Sequence, residues 1–473
     1  MGRGHDPARP GVIQFANVRA PHRAIRSVGR FLAAPAVGTS SHRDVSRAEE
    51  LAKEKQPIKK AAFLLGPGFI TGAADDDPSG IGTYAVAGAS LGLATLWTAL
   101  LTFPFMAAVQ NICAQLGQVS GTGLAGILKE HYPRWVLYPA VALVVIANVV
   151  NVGADLGAIA DAAGIVVGMP VPWLVVPIAL GLVALQIFAR FRAIERTFKF
   201  LTLALLAYVV DAFLVHPSLG ETLRATIVPT IAFDHDYIAV LVAILGTTIS
   251  PYLFFWQTSL EVEEEKSAGR RTRGERRGAS PFELRVATID VTVGMFVSNL
   301  VMYFIILATA LTLNAGGIWN IDTGADAAQA LRPLAGDLAG LIFAIGMIGT
   351  GLLAVPVLAG ASAYAVSETF GWREGLDENW HRARPFYGVV AIATIVGLAI
   401  PFSGVKPIDA LFVTSILNGI AAPPLLVVIM LAARNTKVMG DQTIGTVLTT
   451  LGWIVTVAMF AALAGLVLTS FAG

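Results

Sequence analysis

Asp75-Asp76-Asp77-Pro78-Ser79-Gly80 interrupts an apolar stretch that runs from about Gly66 to Gly88. An ionised Asp at membrane depth costs roughly 3 kcal/mol on insertion scales, so such a residue normally faces a cavity or a substrate path. Pro78 donates no backbone hydrogen bond, and with Ser79 and Gly80 behind it the helix should break there. The break frees main-chain carbonyls beside a carboxylate. Together these are hard oxygen ligands of the kind a small divalent cation takes.

The rest of the chain is suited to lipid. Of its 473 residues 55% are hydrophobic and only 14% are charged, against about a quarter charged in a soluble domain. The net charge is +1, and the basic residues sit in short loops and a tail, so no nucleic-acid partner is expected. Cys113 is the sole cysteine, which excludes an intramolecular disulfide. Apolar runs of about 20 residues mark transmembrane helices. They predict eleven spans, at 66–88, 91–116, 136–165, 171–190, 197–216, 237–260, 286–315, 338–367, 386–404, 407–433 and 446–470. The expected fold class is an all-α polytopic membrane protein.

Lys and Arg concentrate in cytoplasmic loops. Arg19, Arg23, Arg26, Arg30, Lys53, Lys55, Lys59 and Lys60 place the N-terminus in the cytoplasm. With eleven spans, the loops holding Lys129 and Arg134; Arg190, Arg192, Arg196 and Lys199; Arg270 to Arg277; Arg373, Arg382 and Arg384; and Arg434 and Lys437 then fall on the same side. The opposite loops carry little beyond Arg224, Arg332 and Lys406, and the C-terminus is expected outside. Residues 1–60 read as a disordered cytoplasmic tail and 61–473 as the membrane domain. Residues 266–280 read as a charged, mobile cytoplasmic loop. The cell (inner) membrane is the expected location.

A second interruption follows five spans later, at Leu245-Gly246-Thr247-Thr248-Ile249-Ser250-Pro251-Tyr252. The first span runs inside to outside and the sixth outside to inside. Pro78 and Pro251 therefore break corresponding helices of two oppositely oriented halves, 61–216 and 237–433, with 446–470 as an extra helix. Paired discontinuous helices in inverted repeats point to a transporter's central site.

These residues resemble the Nramp (natural resistance-associated macrophage protein) family of divalent metal transporters, and within it the branch of Nramp-related magnesium transporters. Gly66-Pro67-Gly68-Phe69 and Asp77-Pro78-Ser79-Gly80 are similar to the family's first helix, whose usual motif is Asp-Pro-Gly-Asn. Asp155-Leu156-Gly157-Ala158 resembles the third-helix motif Asp-Leu-Ala-Glu, and Ala359-Gly360-Ala361-Ser362-Ala363-Tyr364 the eighth helix. The resemblance implies a LeuT-like 5+5 inverted repeat and metal contact at Asp77, Gly80, Thr247 and Ser250.

The departures from that pattern bear on substrate. The family's metal-binding asparagine falls at Gly80 and its methionine at Ser250. A thioether suits softer metals, whereas an all-oxygen site suits Mg²⁺ and Mn²⁺. Two smaller residues also leave room for a partly hydrated ion, which fits Mg²⁺, since it dehydrates reluctantly. The family's sixth-helix histidines fall at Tyr252 and Gln257, its third-helix glutamate falls at Ala158, and Tyr387 to Pro401 holds no basic residue. Transport without proton coupling is the expectation, with proton-coupled Mn²⁺/Fe²⁺ transport as the alternative.

Asp76, Tyr252, Asp155 and Asn418 are candidates to touch a hydrated ion or to hold a ligand in place, with Asn148 and Asn151 beside Asp155. Three successive helical residues point about 100° apart, so Asp75, Asp76 and Asp77 cannot all face one ion on an intact helix. Asp211 and Asp290 read as structural contacts near helix ends. Glu261, Glu263, Glu264 and Glu265 read as a solvated helix end paired with arginines, and Trp97, Trp135 and Trp173 as interfacial anchors. No Ser/His/Asp or Cys/His constellation is evident, so an enzyme is not expected. No cofactor is implied: Mg²⁺ or Mn²⁺ would be cargo, the partners are the metal ions and the bilayer, and no obligate protein partner is expected.

Overall fold

The computed structural model describes residues 66–188, 204–376 and 378–472. The tail expected over 1–60, the basic residues Arg190, Arg192, Arg196 and Lys199, and the start of the 197–216 span lie outside them.

All regular secondary structure among the described residues is helical. The first apolar stretch is two helices, α1 (Pro67–Asp75) and α2 (Pro78–Leu91), followed by α3 (Trp97–Ser120), α4 (Leu124–His131), α5 (Arg134–Val167) and α6 (Val171–Phe188). Next come α7 (Leu206–Leu214), α8 (Leu219–Ile227), and the second broken pair, α9 (His235–Thr248) and α10 (Pro251–Ser267). The remainder includes α11 (Arg273–Arg276), α12 (Pro281–Thr309), α13 (Gly324–Ala328), α14 (Ala339–Phe370), α15 (Arg384–Gly397), α16 (Pro407–Ala433) and α17 (Thr446–Ala472), besides short turns of helix at Arg332–Ala335 and Thr436–Met439. Among the described residues eight helical stretches, with α9 and α10 taken together as one, are long and apolar enough to cross a membrane; α15 is shorter but apolar.

The two broken helices pack differently: both pieces of the first, α1 and α2, lie against α12, whereas the second lies against α3 chiefly through its second piece, α10; α5 and α14 make the most extensive pairing, and α9 packs on α16. Glycines set the closest of these contacts. A Cβ on Gly72 would stand 2.4 Å from the Gly294 carbonyl, and one on Gly246 would stand 2.3 Å from the Gly419 nitrogen. Both distances are below any real contact, so larger residues would push α1 off α12 and α9 off α16.

The first four N–H groups of a helix have no partner within it. Gly66 provides no side-chain cap for α1. Asp290 on α12 provides one: its Oδ1 accepts from Gly66 and Phe69 N–H at 2.8 and 3.1 Å, and its Oδ2 from Gly68 N–H at 3.0 Å. Asp211 on α7 likewise accepts from Leu334 N–H at 3.0 Å. Both acids are structural, as expected. Asp290, however, sits ten residues into α12 rather than near its end, because it caps a neighbour.

Three expectations change. Residues 266–280, read as a mobile loop, contain α11 with a Thr272/Glu275 capping box. This stretch docks on the end of α3 through Gly278 N–H to Val119 O at 2.9 Å and Arg276 Nε to Gly121 O at 3.2 Å. Trp97 is buried, and its Nε1 donates to Tyr237 Oη at 3.1 Å, whereas Trp135 and Trp173 are exposed as anchors should be. Glu261 and Glu265 are buried, not solvated; Glu265 does pair with Arg270 at 3.4 Å, while Glu263 pairs with a lysine, Lys266, at 2.9 Å.

Candidate functional site

Asp77 begins α2 in extended conformation, with φ −70° and ψ 167°. Its Oδ1 accepts from Gly80 N–H at 2.7 Å and from Ser79 Oγ at 2.8 Å. The residue thus serves as an N-cap, and Pro78 takes the first helical position, where no N–H is needed. A negative charge at a helix N-terminus also meets the positive end of the backbone dipole. The other oxygen, Oδ2, accepts from Asn151 Nδ2 on α5 at 3.1 Å.

The second break faces the first. Ile249 departs from helical geometry, and Ser250 is extended ahead of Pro251. Ser250 Oγ donates back to the carbonyls of Thr247 at 2.6 Å and Gly246 at 3.1 Å. Tyr252 Oη donates to Ala74 O at 2.9 Å, tying the start of α10 to the end of α1. Gly80 lies between the two breaks. A Cβ placed on it would be 3.2 Å from Thr247 Oγ1, 3.3 Å from the Asp75 carbonyl and 3.4 Å from Asp77 Oδ1. The space beside Gly80 is therefore walled by three oxygens from both broken helices. Gly80→Ala is expected to fill it and raise the half-saturation concentration for cation uptake about tenfold or more, within the roughly 1–3 kcal/mol cost of overpacking. Unchanged half-saturation in concentration-dependent uptake would show that this space is not used.

A polar network surrounds the pair. Asn151 Nδ2 also donates to Asp155 Oδ2 at 3.2 Å, and Asn418 Nδ2 on α16 donates to Asn151 Oδ1 at 3.0 Å. Thr83 Oγ1 donates to Ser415 Oγ at 2.7 Å, and Ser415 Oγ lies 3.3 Å from Ser79 O. Asp77, Thr247, Ser250, Tyr252, Asp155 and Asn418 are all buried, Asp77 with only 1% of its surface exposed, so this conformation closes the site off from bulk water. Among the described residues no three Asp, Glu, His or Cys side chains converge as a ready-made cage. What the breaks offer is one carboxylate with carbonyls, hydroxyls and amide oxygens.

The structure thus brings Asp77, Gly80, Thr247 and Ser250 together, with Tyr252, Asp155 and Asn418 around them. Asp75 and Asp76 each give one oxygen to α12: Ser298 Oγ lies 2.7 Å from Asp75 Oδ2 and 3.1 Å from Asp76 Oδ1, and Asp75 Oδ1 is buried without a hydrogen-bonding partner among the described residues. Asn148 makes an interhelical contact instead, donating to Leu358 O at 3.1 Å and Ser362 Oγ at 3.0 Å on α14. Sequence reasoning missed a buried chain at the far end of α1. Thr71 Oγ1 donates to Gln257 Oε1, Gln257 Nε2 to Glu261 Oε1 at 2.8 Å, and Gln118 Nε2 to Glu261 Oε2 at 2.8 Å. The four-residue spacing of Gln257 and Glu261 was the one available signal.

The family description "Natural resistance-associated macrophage protein-like" matches residues 68–469. The chain belongs to the Nramp family. Among its relatives is the "Divalent metal cation transporter MntH" of Deinococcus radiodurans, 25% identical over 413 residues, covering 85% of this chain and 89% of the relative. The protein of the same name from Bacillus subtilis is 23% identical over 415 residues, covering 86% and 92%. Of solved structures, the Eremococcus coleocola manganese transporter superposes with a TM-score of 0.69 at 17% identity, covering 88% of each chain. Mhp1, a nucleobase-cation-symport-1 family transporter, gives 0.56 at 15% identity, covering 86% of this chain and 91% of its own. These likenesses extend the Nramp assignment to the fold: an all-α membrane transporter of the LeuT-like class, with broken first and sixth helices, and not an enzyme.

Proposed function

We propose that this Nramp chain carries divalent metal cations across a membrane by alternating access at the paired breaks, with Mg²⁺ the preferred cargo, Mn²⁺ also accepted, and no proton coupling. The observation that carries the reading is the make-up of the site: one carboxylate, Asp77, with hard oxygens from both breaks and no sulfur, since Gly80 and Ser250 occupy the positions of an amide and a thioether. Hard oxygen donors with room for retained water suit Mg²⁺ and Mn²⁺. The names of the curated relatives support divalent cations as the substrate class.

The uncoupled reading is supported by what replaces the family's histidines. Tyr252 and Gln257 are both committed to hydrogen bonds, with Ala74 O and with Thr71 and Glu261. Neither changes charge near neutral pH. With a negative interior, a divalent cation entering gains about 4.6 kcal/mol per 100 mV, twice the value for one charge, so inward flux needs no proton. The orientation this requires, N-terminus in the cytoplasm, C-terminus outside and a location in the inner membrane, belongs to the same proposal.

Proteoliposomes holding a pH reporter are expected to take up Mg²⁺ and Mn²⁺ without internal acidification, with excess Mg²⁺ suppressing Mn²⁺ uptake. Mn²⁺ uptake indifferent to excess Mg²⁺ would refute the magnesium reading. The second reading is a proton-coupled Mn²⁺/Fe²⁺ carrier, favoured by the carboxylate of Asp155 lying one amide away from Asp77. Acidification proportional to metal flux would establish it.

A further inference from the structure

We propose that Asn151 is a positioning residue that forces Asn418 to present its carbonyl oxygen, and not its NH₂, to a divalent cation beside Asp77. The inference rests on the reading of the paired breaks as a cation site and adds a determinant of that site on α5.

A side-chain amide carries two hydrogens on its nitrogen and lone pairs on its oxygen. The nitrogen of Asn151 lies 3.1 Å from Asp77 Oδ2 and 3.2 Å from Asp155 Oδ2, so each of its hydrogens has a carboxylate to serve. The reverse orientation would set an amide oxygen against two carboxylate oxygens. Hydrogen-bond logic therefore assigns the amide, as it must wherever nitrogen and oxygen are alike in shape. Asn151 Oδ1 is left facing α16, where it accepts from Asn418 Nδ2 at 3.0 Å.

The polarity is handed on. Asn418 commits its nitrogen to Asn151, and its Oδ1 is buried with no hydrogen-bonding partner among the described residues. Asp155 Oδ1 is buried and unpartnered in the same way. A buried acceptor without a donor is costly, and a cation or its bound water relieves that cost. Freed from Asn151, the Asn418 amide loses the acceptor that fixes its orientation, and its NH₂ end, turned toward the cation, offers no lone pair. Asn151 has both hydrogens and its oxygen engaged by protein groups. It therefore acts on the ion through its neighbours.

The test is Mn²⁺ uptake into proteoliposomes, with half-saturation and maximal rate measured separately. Asn151→Ala is expected to raise half-saturation about tenfold, the effect of one modest interaction, while the maximal rate stays within about twofold. Asn418→Asp has oxygen at both ends, so its orientation ceases to matter. Alone it should bind no more tightly than the natural chain, because Asn151 Oδ1 opposes its carboxylate. Combined with Asn151→Ala it should restore half-saturation to within about twofold of the natural value. A double variant as weak as Asn151→Ala, or an Asn151→Ala defect confined to maximal rate, would overturn the proposal. If Asn151→Ala fails to reconstitute, Asn151→Ser with the same Asn418→Asp rescue decides by the same comparison. Loss of the underlying reading is distinguishable: there, Asp77→Ala would transport Mn²⁺ as well as the natural chain.

Discussion

Asp77→Ala is expected to abolish divalent-cation uptake, by at least about 100-fold, the scale of roughly 3 kcal/mol. The variant removes the carboxylate held at the meeting point of the breaks, while Asp75 Oδ2 and Asp76 Oδ1 are engaged by Ser298. It also removes the N-cap of α2, which costs about 1 kcal/mol of helix stability, so loss of transport alone would be ambiguous. Asp77→Asn separates the two effects. Its amide oxygen can still accept from Gly80 N–H and Ser79 Oγ, while the charge is gone and its NH₂ meets the Asn151 amide, which must turn its oxygen to receive it. Uptake should be lost in both variants, with the unfolding midpoint lowered mainly in Asp77→Ala. Asp77→Asn transporting at the natural rate would show that the site does not depend on the carboxylate charge.

Asp290→Ala is expected to be the most destabilising single change among the polar residues described. Three backbone donors of α1, those of Gly66, Gly68 and Phe69, would lose their acceptor together. A buried donor left unpaired costs about 1–3 kcal/mol, so a total near 3 kcal/mol or above follows. At about 2.1 cal/mol/K per residue, a unit of roughly 400 residues shifts by about 1 °C per kcal/mol, so the unfolding midpoint should fall by about 3–4 °C. Uptake should fall with it, since α1 supplies the Asp75 carbonyl beside Gly80 and the Ala74 carbonyl that receives Tyr252. Asp290→Asn keeps one carbonyl oxygen and should lose less. A midpoint for Asp290→Ala equal to that of the natural chain would mean that the cap is dispensable.

Much of this architecture is legible in the sequence because its causes are local. Proline has no N–H and Asp accepts from a helix start, so Asp77-Pro78 and Ser250-Pro251 announce their breaks without any knowledge of neighbours. Long apolar runs announce spans equally well: the helix expected over 407–433 is Pro407–Ala433. What stayed hidden depends on which helix lies beside which. Nothing around Asp290 says that α1 begins next to it, and nothing in the acidic run 261–265 says that Glu261 alone is covered by Gln118 and Gln257. The roles of Asn148 and Asn151, three residues apart on α5, diverge for the same reason. One meets the backbone of α14, and the other meets Asp77.

The two pieces of the first broken helix owe their ends to different parts of the molecule. α2 is capped from within by Asp77, whereas α1 is capped from α12 by Asp290 and bonded to α10 through Thr71. The junction at Asp76, with φ −80° and ψ 48°, carries none of those capping bonds. Rotation at that junction would leave the caps of Asp77 and Asp290 intact, while the bonds from Thr71 to Gln257 and from Tyr252 to Ala74 tie the movement of α1 to α10. On the proposed reading the break is then a joint as well as a ligand, one at which neither helix cap has to open.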